Sequence, residues 1–229
     1  MLTHHPDPAG HDGRRRRPAI WLAQAATGPG ADVGIGCLPR PRSQARAEDR
    51  LTRDALLGHV ARRGGVAGPG PGLAHSGGLV ACVSDAPCPT GLDIEWIRPR
   101  DVLSLAEFCY APEEAQALRA LPTDARGAAF VDRWVLKEAV AKRFGLDLMV
   151  ALRRCIFEID RGVITADLPT AAPWCARLFA PRPQVRLAWF HLDEGSGSLP
   201  FDHQEWRIGQ ADPRQVTWPQ VAASGEAQR

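Results

Sequence analysis

Two backbone periodicities that belong to different kinds of secondary structure alternate along this chain, and together they confine it to a mixed fold. In Thr90-Gly91-Leu92-Asp93-Ile94-Glu95-Trp96 the apolar residues Leu92, Ile94 and Trp96 alternate with Asp93 and Glu95, the period of two of a strand with one apolar and one acidic face. From Ser43 to Arg63, Leu51, Ala55, Leu56 and Val60 recur at helical spacing, arginines take the other face, and Gly64-Gly65 ends the run. Ala128 to Phe144 is a second long helix, closed by Gly145. An α+β fold is expected. Leu103 to Leu118 reads as two helical pieces broken at Pro112. Ala19 to Ala25, Leu79 to Ser84, Cys155 to Ile159, Val163 to Ala166 and Val185 to His191 read as strands, with Asp160-Arg161-Gly162 as a hairpin turn.

The ends lack these periodicities. Residues 1–17, with His4, His5, His11 and the quartet Arg14 to Arg17, read as a disordered basic head, and residues 195–229, after Gly195-Ser196-Gly197, as an irregular tail. Gly68-Pro69-Gly70-Pro71-Gly72 is a turn-rich connector, and His75-Ser76-Gly77 falls in the loop that follows it.

Composition excludes several classes and names no partner. At 229 residues, 45% hydrophobic and 24% charged, the chain can bury a sizeable core. A net charge of +2 is too small for a general attraction to nucleic acid. No apolar run approaches the roughly 20 residues that cross a bilayer, and cytoplasmic residence is expected. The six cysteines form no C-x-x-C pair and are read as reduced thiols.

Basic residues carry the sharper signal. Lys137 and Lys142 are the only lysines; every other cationic side chain of this class is arginine. Trp134, Glu138 and Lys142 fall at i, i+4 and i+8 on one helical stripe. A surface Glu-to-Lys pair at this spacing is worth only about 0.2–0.5 kcal/mol, and arginine would serve it equally. Lysine in this one helix therefore points to a need for a compact ammonium. Asp93 and Glu95 could share a hard cation, since magnesium takes oxygen ligands, or could form a solvated strand face.

Taken in order, His75-Ser76-Gly77, Gly91-Leu92-Asp93-Ile94-Glu95 and Trp134 to Lys142, read W-V-L-K-E-A-V-A-K, resemble the motifs H-S-G, G-[IV]-D-[IV]-E and W-x-x-K-E-[AS]-x-x-K of the 4'-phosphopantetheinyl transferase superfamily, of the surfactin-synthetase-activating type. Tyr110-Ala111-Pro112-Glu113-Glu114 is similar to its F-S-P-x-E segment. The resemblance implies a pseudo-twofold pair of similar α/β halves, here 18–100 and 101–194, with the active site in the cleft between them. It implies Mg²⁺ held by Asp93, Glu95 and Glu138. Coenzyme A would be the substrate, contacted by His75, Ser76, Lys137 and Lys142, and an apo acyl- or peptidyl-carrier protein its partner, with the chain a monomer. Glu138 or a nearby water would be the base, Glu114 a second candidate, and Lys142 would offset phosphate charge. The upstream G-K-P segment is replaced by Gly68 to Gly72 without lysine; Arg50 and Arg53 either supply that charge or form a solvated helical face. The rival reading is a non-catalytic protein of the same scaffold, or a nucleic-acid binder using Arg14 to Arg17.

Overall fold

The computed structural model describes residues 17–24, 42–66, 72–193, 201–207 and 211–224. In chain order the elements are β1 (Ala19–Gln24), α1 (Arg42–Arg62), β2 (Leu73–Ser76), β3 (Leu79–Ser84), β4 (Thr90–Trp96), α2 (Val102–Cys109), α3 (Pro112–Ala120), α4 (Thr123–Phe144), α5 (Leu148–Arg154), β5 (Ile156–Asp160), β6 (Val163–Asp167), β7 (Trp174–Arg182), β8 (Val185–Leu192), β9 (Asp202–Arg207), β10 (Arg214–Val216) and β11 (Gln220–Ser224). The mixed α+β class read from the two periodicities is the one observed. The expected head, residues 1–17, lies outside the described residues except for Arg17.

The strands form one sheet in the order β10-β9-β1-β3-β2 and another in the order β4-β8-β7-β11-β6-β5. Strand alternation builds the layers. Ala19, Trp21 and Ala23 of β1 pack on Leu56 and Val60 of α1, while Ile20 and Leu22 face Leu92, Ile94, Phe179, Leu187 and Trp189 of the second sheet. The second sheet's other face, with Ala176, Leu178, Ala188 and Phe190, packs against α4 and its neighbours. The order is therefore α1, first sheet, second sheet, then α2 to α5, and every strand at the centre is covered on both sides.

Two expectations are corrected. Residues 202–207 and 211–224 are not an irregular tail: β9 runs parallel to β1, β10 returns along β9, and β11 fits between β7 and β6. Their apolar anchors are isolated, Trp206 stacking on His59 at 4.3 Å and Trp218 and Ala222 buried, so a polar stretch such as Asp202-His203-Gln204-Glu205 carries no period-two signal. The division at residue 100 also differs from the partition of strands, because β4 belongs to the second sheet and β9 and β10 to the first.

α4 is buried nearly all round, which is why its polar residues are informative. Phe130, Val131, Val135, Leu136, Ala139, Val140 and Ala141 are all enclosed. Gly145 ends the helix in the left-handed conformation at φ 65°, and Leu146 N–H caps the carbonyl of Ala141 at 2.9 Å.

Candidate active site

β4 and α4 meet more closely than side chains would allow, and the site lies at that meeting. A Cβ on Gly91 would stand 1.8 Å from the carbonyl oxygen of Ala139, so only glycine lets the strand lie against the helix backbone here. Two residues further, Asp93 projects from the same strand face and Lys142 Nζ donates to its Oδ1 at 2.7 Å. Glu138 Oε1 lies 3.7 Å from the same ammonium. Trp134 Nε1 donates to Glu138 Oε2 at 2.9 Å, so the stripe Trp134, Glu138, Lys142 is one connected row.

Glu95 is tied to the first sheet. Ser76 Oγ donates to Glu95 Oε2 at 2.8 Å, as does the Trp96 backbone N–H at 3.2 Å. The Trp96 indole N–H donates to the Ser76 carbonyl at 3.0 Å. His75-Ser76-Gly77 is not a loop as expected: His75 and Ser76 end β2, and Gly77 and Gly78, at φ 53° and 82°, form a two-residue hairpin turn into β3. A Cβ on Gly77 would meet the Trp96 and Arg98 side chains at 2.8 Å. His75 Nδ1 pairs with Asp49 Oδ2 at 3.2 Å.

The acidic face of β4 is only partly solvated. Asp93 is 3% exposed. Burial raises its pKa well above the ordinary carboxylate range, Lys142 counters this, and the charges of Glu138 and Glu95 raise it further. Its Oδ2 is buried without a hydrogen-bond partner. An orphaned carboxylate oxygen beside two more carboxylates is the donor chemistry a hard divalent cation uses, and on that ground the residues fit magnesium. Among the described residues no three acidic, histidine or cysteine side chains are drawn into a finished metal cluster. The reason is visible in the contacts: Lys142, Ser76 and Trp134 each hold one oxygen of these acids.

Lys137 and Glu114 are elsewhere, and their expected roles are corrected. Lys137 is fully buried, and its ammonium donates to Glu114 Oε2 at 2.5 Å and to the carbonyls of Leu152 and Cys155 at 2.7 and 2.6 Å. Glu114 Oε1 accepts from Phe157 N–H at 3.0 Å. All three ammonium protons are used, so Lys137 has none to offer a phosphate. Burial lowers the Lys137 pKa and Glu114 counters it. This pair joins α3, α4, α5 and β5. Arg50 is exposed, and Arg53 is turned to its neighbour Asp54 at 2.8 Å. Asp49 was not singled out from the sequence; it sits on α1 among polar residues, and nothing local distinguishes it.

Five of the six cysteines are described, and all five are buried; Cys37 lies outside the described residues. No described helix is long and apolar enough to cross a membrane.

Residues 89–188 match the model of the 4'-phosphopantetheinyl transferase superfamily. The chain is 34% identical over 119 residues to the 4'-phosphopantetheinyl transferase psf-1 of Bacillus pumilus, covering 51% of this chain and 50% of that protein. It is 36% identical over 74 residues to the 4'-phosphopantetheinyl transferase HetI of Nostoc sp. (strain PCC 7120), covering 32% of this chain and 31% of that one. The matches thus span half or less of each relative's length.

Proposed function

Since the segment 89–188 belongs to the 4'-phosphopantetheinyl transferase superfamily, we propose that this chain is an enzyme that transfers the 4'-phosphopantetheine group of coenzyme A to a serine of an apo acyl- or peptidyl-carrier protein. The observation that carries the proposal is the junction of β4 and α4, where Asp93 and Glu138 share the Lys142 ammonium and Glu95 stands close enough to raise the Asp93 pKa. A partly buried cluster of carboxylates around one lysine, with Asp93 almost fully enclosed, is unfavourable to maintain for stability alone. It suits a site that receives a cation and a pyrophosphate.

Asp93, Glu95 and Glu138 would hold Mg²⁺, which when bound supplies positive charge against the pyrophosphate of coenzyme A. Lys142, 27% exposed at the rim, would offset charge on the leaving phosphate. The serine hydroxyl oxygen forms a bond to the phosphorus next to the pantetheine, the pyrophosphate bridge breaks, and adenosine 3',5'-bisphosphate leaves. The hydroxyl proton goes to a base, for which Glu138 Oε1 is the oxygen not held by the Trp134 indole. Glu114 is too enclosed for this. His75 and Ser76, at the hairpin end, are the proposed contacts to a phosphate of coenzyme A, with Arg50 and Arg53 on α1 as further positive charge. We read the two sheets as the cores of two halves related by a pseudo-twofold axis, with the site where they meet, in a cytoplasmic monomer.

The test is direct. The purified chain, coenzyme A, Mg²⁺ and an apo carrier protein are incubated and the carrier is weighed by mass spectrometry. One added phosphopantetheine is expected, abolished by chelator and by Asp93→Ala, Glu95→Ala or Glu138→Ala in proteins that still fold. An unmodified carrier across acyl- and peptidyl-carrier classes would refute the activity.

A further inference from the structure

Asp49 lies on α1 and sets its carboxylate against two nitrogens of the β2–β3 hairpin. Oδ1 accepts from Gly78 N–H at 3.3 Å, and Oδ2 lies 3.2 Å from His75 Nδ1. Asp49 is 12% exposed while His75 is 57% exposed, so the acid is the inner member of the pair and the imidazole the outer. At 3.2 Å, Nδ1 is the ring nitrogen that approaches the carboxylate. The two ring nitrogens lie on opposite sides of the imidazole, which leaves Nε2 as the nitrogen turned away from Asp49. The Gly77-Gly78 turn, with both residues at positive φ, holds the Gly78 amide at a set position. The carboxylate is thereby oriented by backbone, and the ring by the carboxylate. Ser76 and Trp96 tie the end of the same β2 strand to Glu95 on β4, so the imidazole and the acidic junction share one frame.

We infer that Asp49 is a positioning residue that locks the His75 ring with Nδ1 inward and Nε2 presented to a phosphate of coenzyme A. Asp49 itself does not touch the ligand. The inference rests on the coenzyme A reading above, and chiefly on His75 meeting the 3'-phosphate. It also accounts for how a largely exposed histidine can serve as a directional anion contact in a chain whose Gly68 to Gly72 connector lacks lysine. A free imidazole at this exposure would sample several rotamers and reach a phosphate in few of them.

Titration calorimetry of the full chain in Mg²⁺ with coenzyme A and with 3'-dephospho-coenzyme A separates the possibilities. His75→Ala should weaken coenzyme A about 10-fold or more and leave the dephospho ligand nearly unchanged. Asp49→Ala should weaken coenzyme A by about 2- to 10-fold with the same selectivity. In the double variant the loss should equal that of His75→Ala alone, because a positioning residue has nothing left to position. If Asp49→Ala lowers binding of both ligands by disturbing the hairpin, Asp49→Asn, which keeps the shape with a single acceptor oxygen, decides by the same ratio. Selective loss in His75→Ala with none in either Asp49 variant overturns the inference and leaves the coenzyme A reading standing. Equal loss of both ligands in His75→Ala overturns the His75 assignment itself.

Discussion

Gly91→Ala tests the close approach of β4 to the backbone of α4. The added methyl would sit 1.8 Å from the Ala139 oxygen, 2.7 Å from its carbon and 3.2 Å from Arg143 Cβ. Carbon–oxygen contacts settle at about 3.3 Å, so α4 must retreat from β4 by about 1.5 Å or the strand must bend by as much. The neighbour is backbone in mid-helix, with no flexible side chain to swing aside. Overpacking of this kind costs about 3 kcal/mol or more, equivalent to a fall of roughly 6–12 °C in Tm for a chain this size. The same displacement would take Lys142 Nζ, now 2.7 Å from Asp93 Oδ1, beyond hydrogen-bond reach. A misplacement of about 1 Å at a reacting centre lowers turnover about 100-fold. The assay pairs thermal unfolding by circular dichroism with phosphopantetheinylation of an apo carrier followed by mass. Gly145→Ala is the control: at φ 65° with nothing within 4 Å of its Cβ position, it should cost about 1–2 kcal/mol of stability and leave turnover intact. A Gly91→Ala protein with wild-type Tm and rate would refute the claim that this approach builds the site.

Lys142→Arg should be markedly defective in turnover although charge is kept, because a planar guanidinium cannot stand where one ammonium meets Asp93 and Glu138; Arg143→Lys should be nearly silent, and wild-type turnover in Lys142→Arg at saturating coenzyme A would return this residue to a surface pair. Lys137→Met should lose about 3–5 kcal/mol in urea unfolding, since it strands the buried Glu114 carboxylate, and a loss below about 1 kcal/mol would show that the pair is not structural. Burial holds His203, stacked on Trp218, at a pKa of about 4 against an ordinary 6.5. The unfolded chain therefore binds the extra proton between these values, and stability should fall as pH drops from 6.5 towards 4, by about 1–2 kcal/mol once solvent screening of the partly exposed ring is allowed for. Denaturant melts of His203→Phe across that range should show a flatter profile, and an unchanged slope would contradict the assignment.

Local sequence by itself determined the elements whose side chains alternate cleanly. The strand around Asp93, the helix through Glu138 and its stop at Gly145 follow from periods of 2 and 3.6 and from glycine's left-handed freedom, all properties of neighbours in the chain. Asp93, Glu138 and Lys142, which the family motifs group with Glu95, stand together at the junction of β4 and α4. Tertiary structure decided the rest. Lys137 and Lys142 are alike in sequence, and only the packing of α3, α5 and β5 on one side of α4 encloses the first, while the edge of β4 leaves the second at the rim. The strands β9 to β11 exist because β1, β6 and β7 offer them backbone partners, and such long-range hydrogen bonds leave no mark on a polar segment's own periodicity. Asp49 became informative only when the hairpin set Gly78 and His75 against it, because a carboxylate's role depends on which donors the fold brings within about 3 Å.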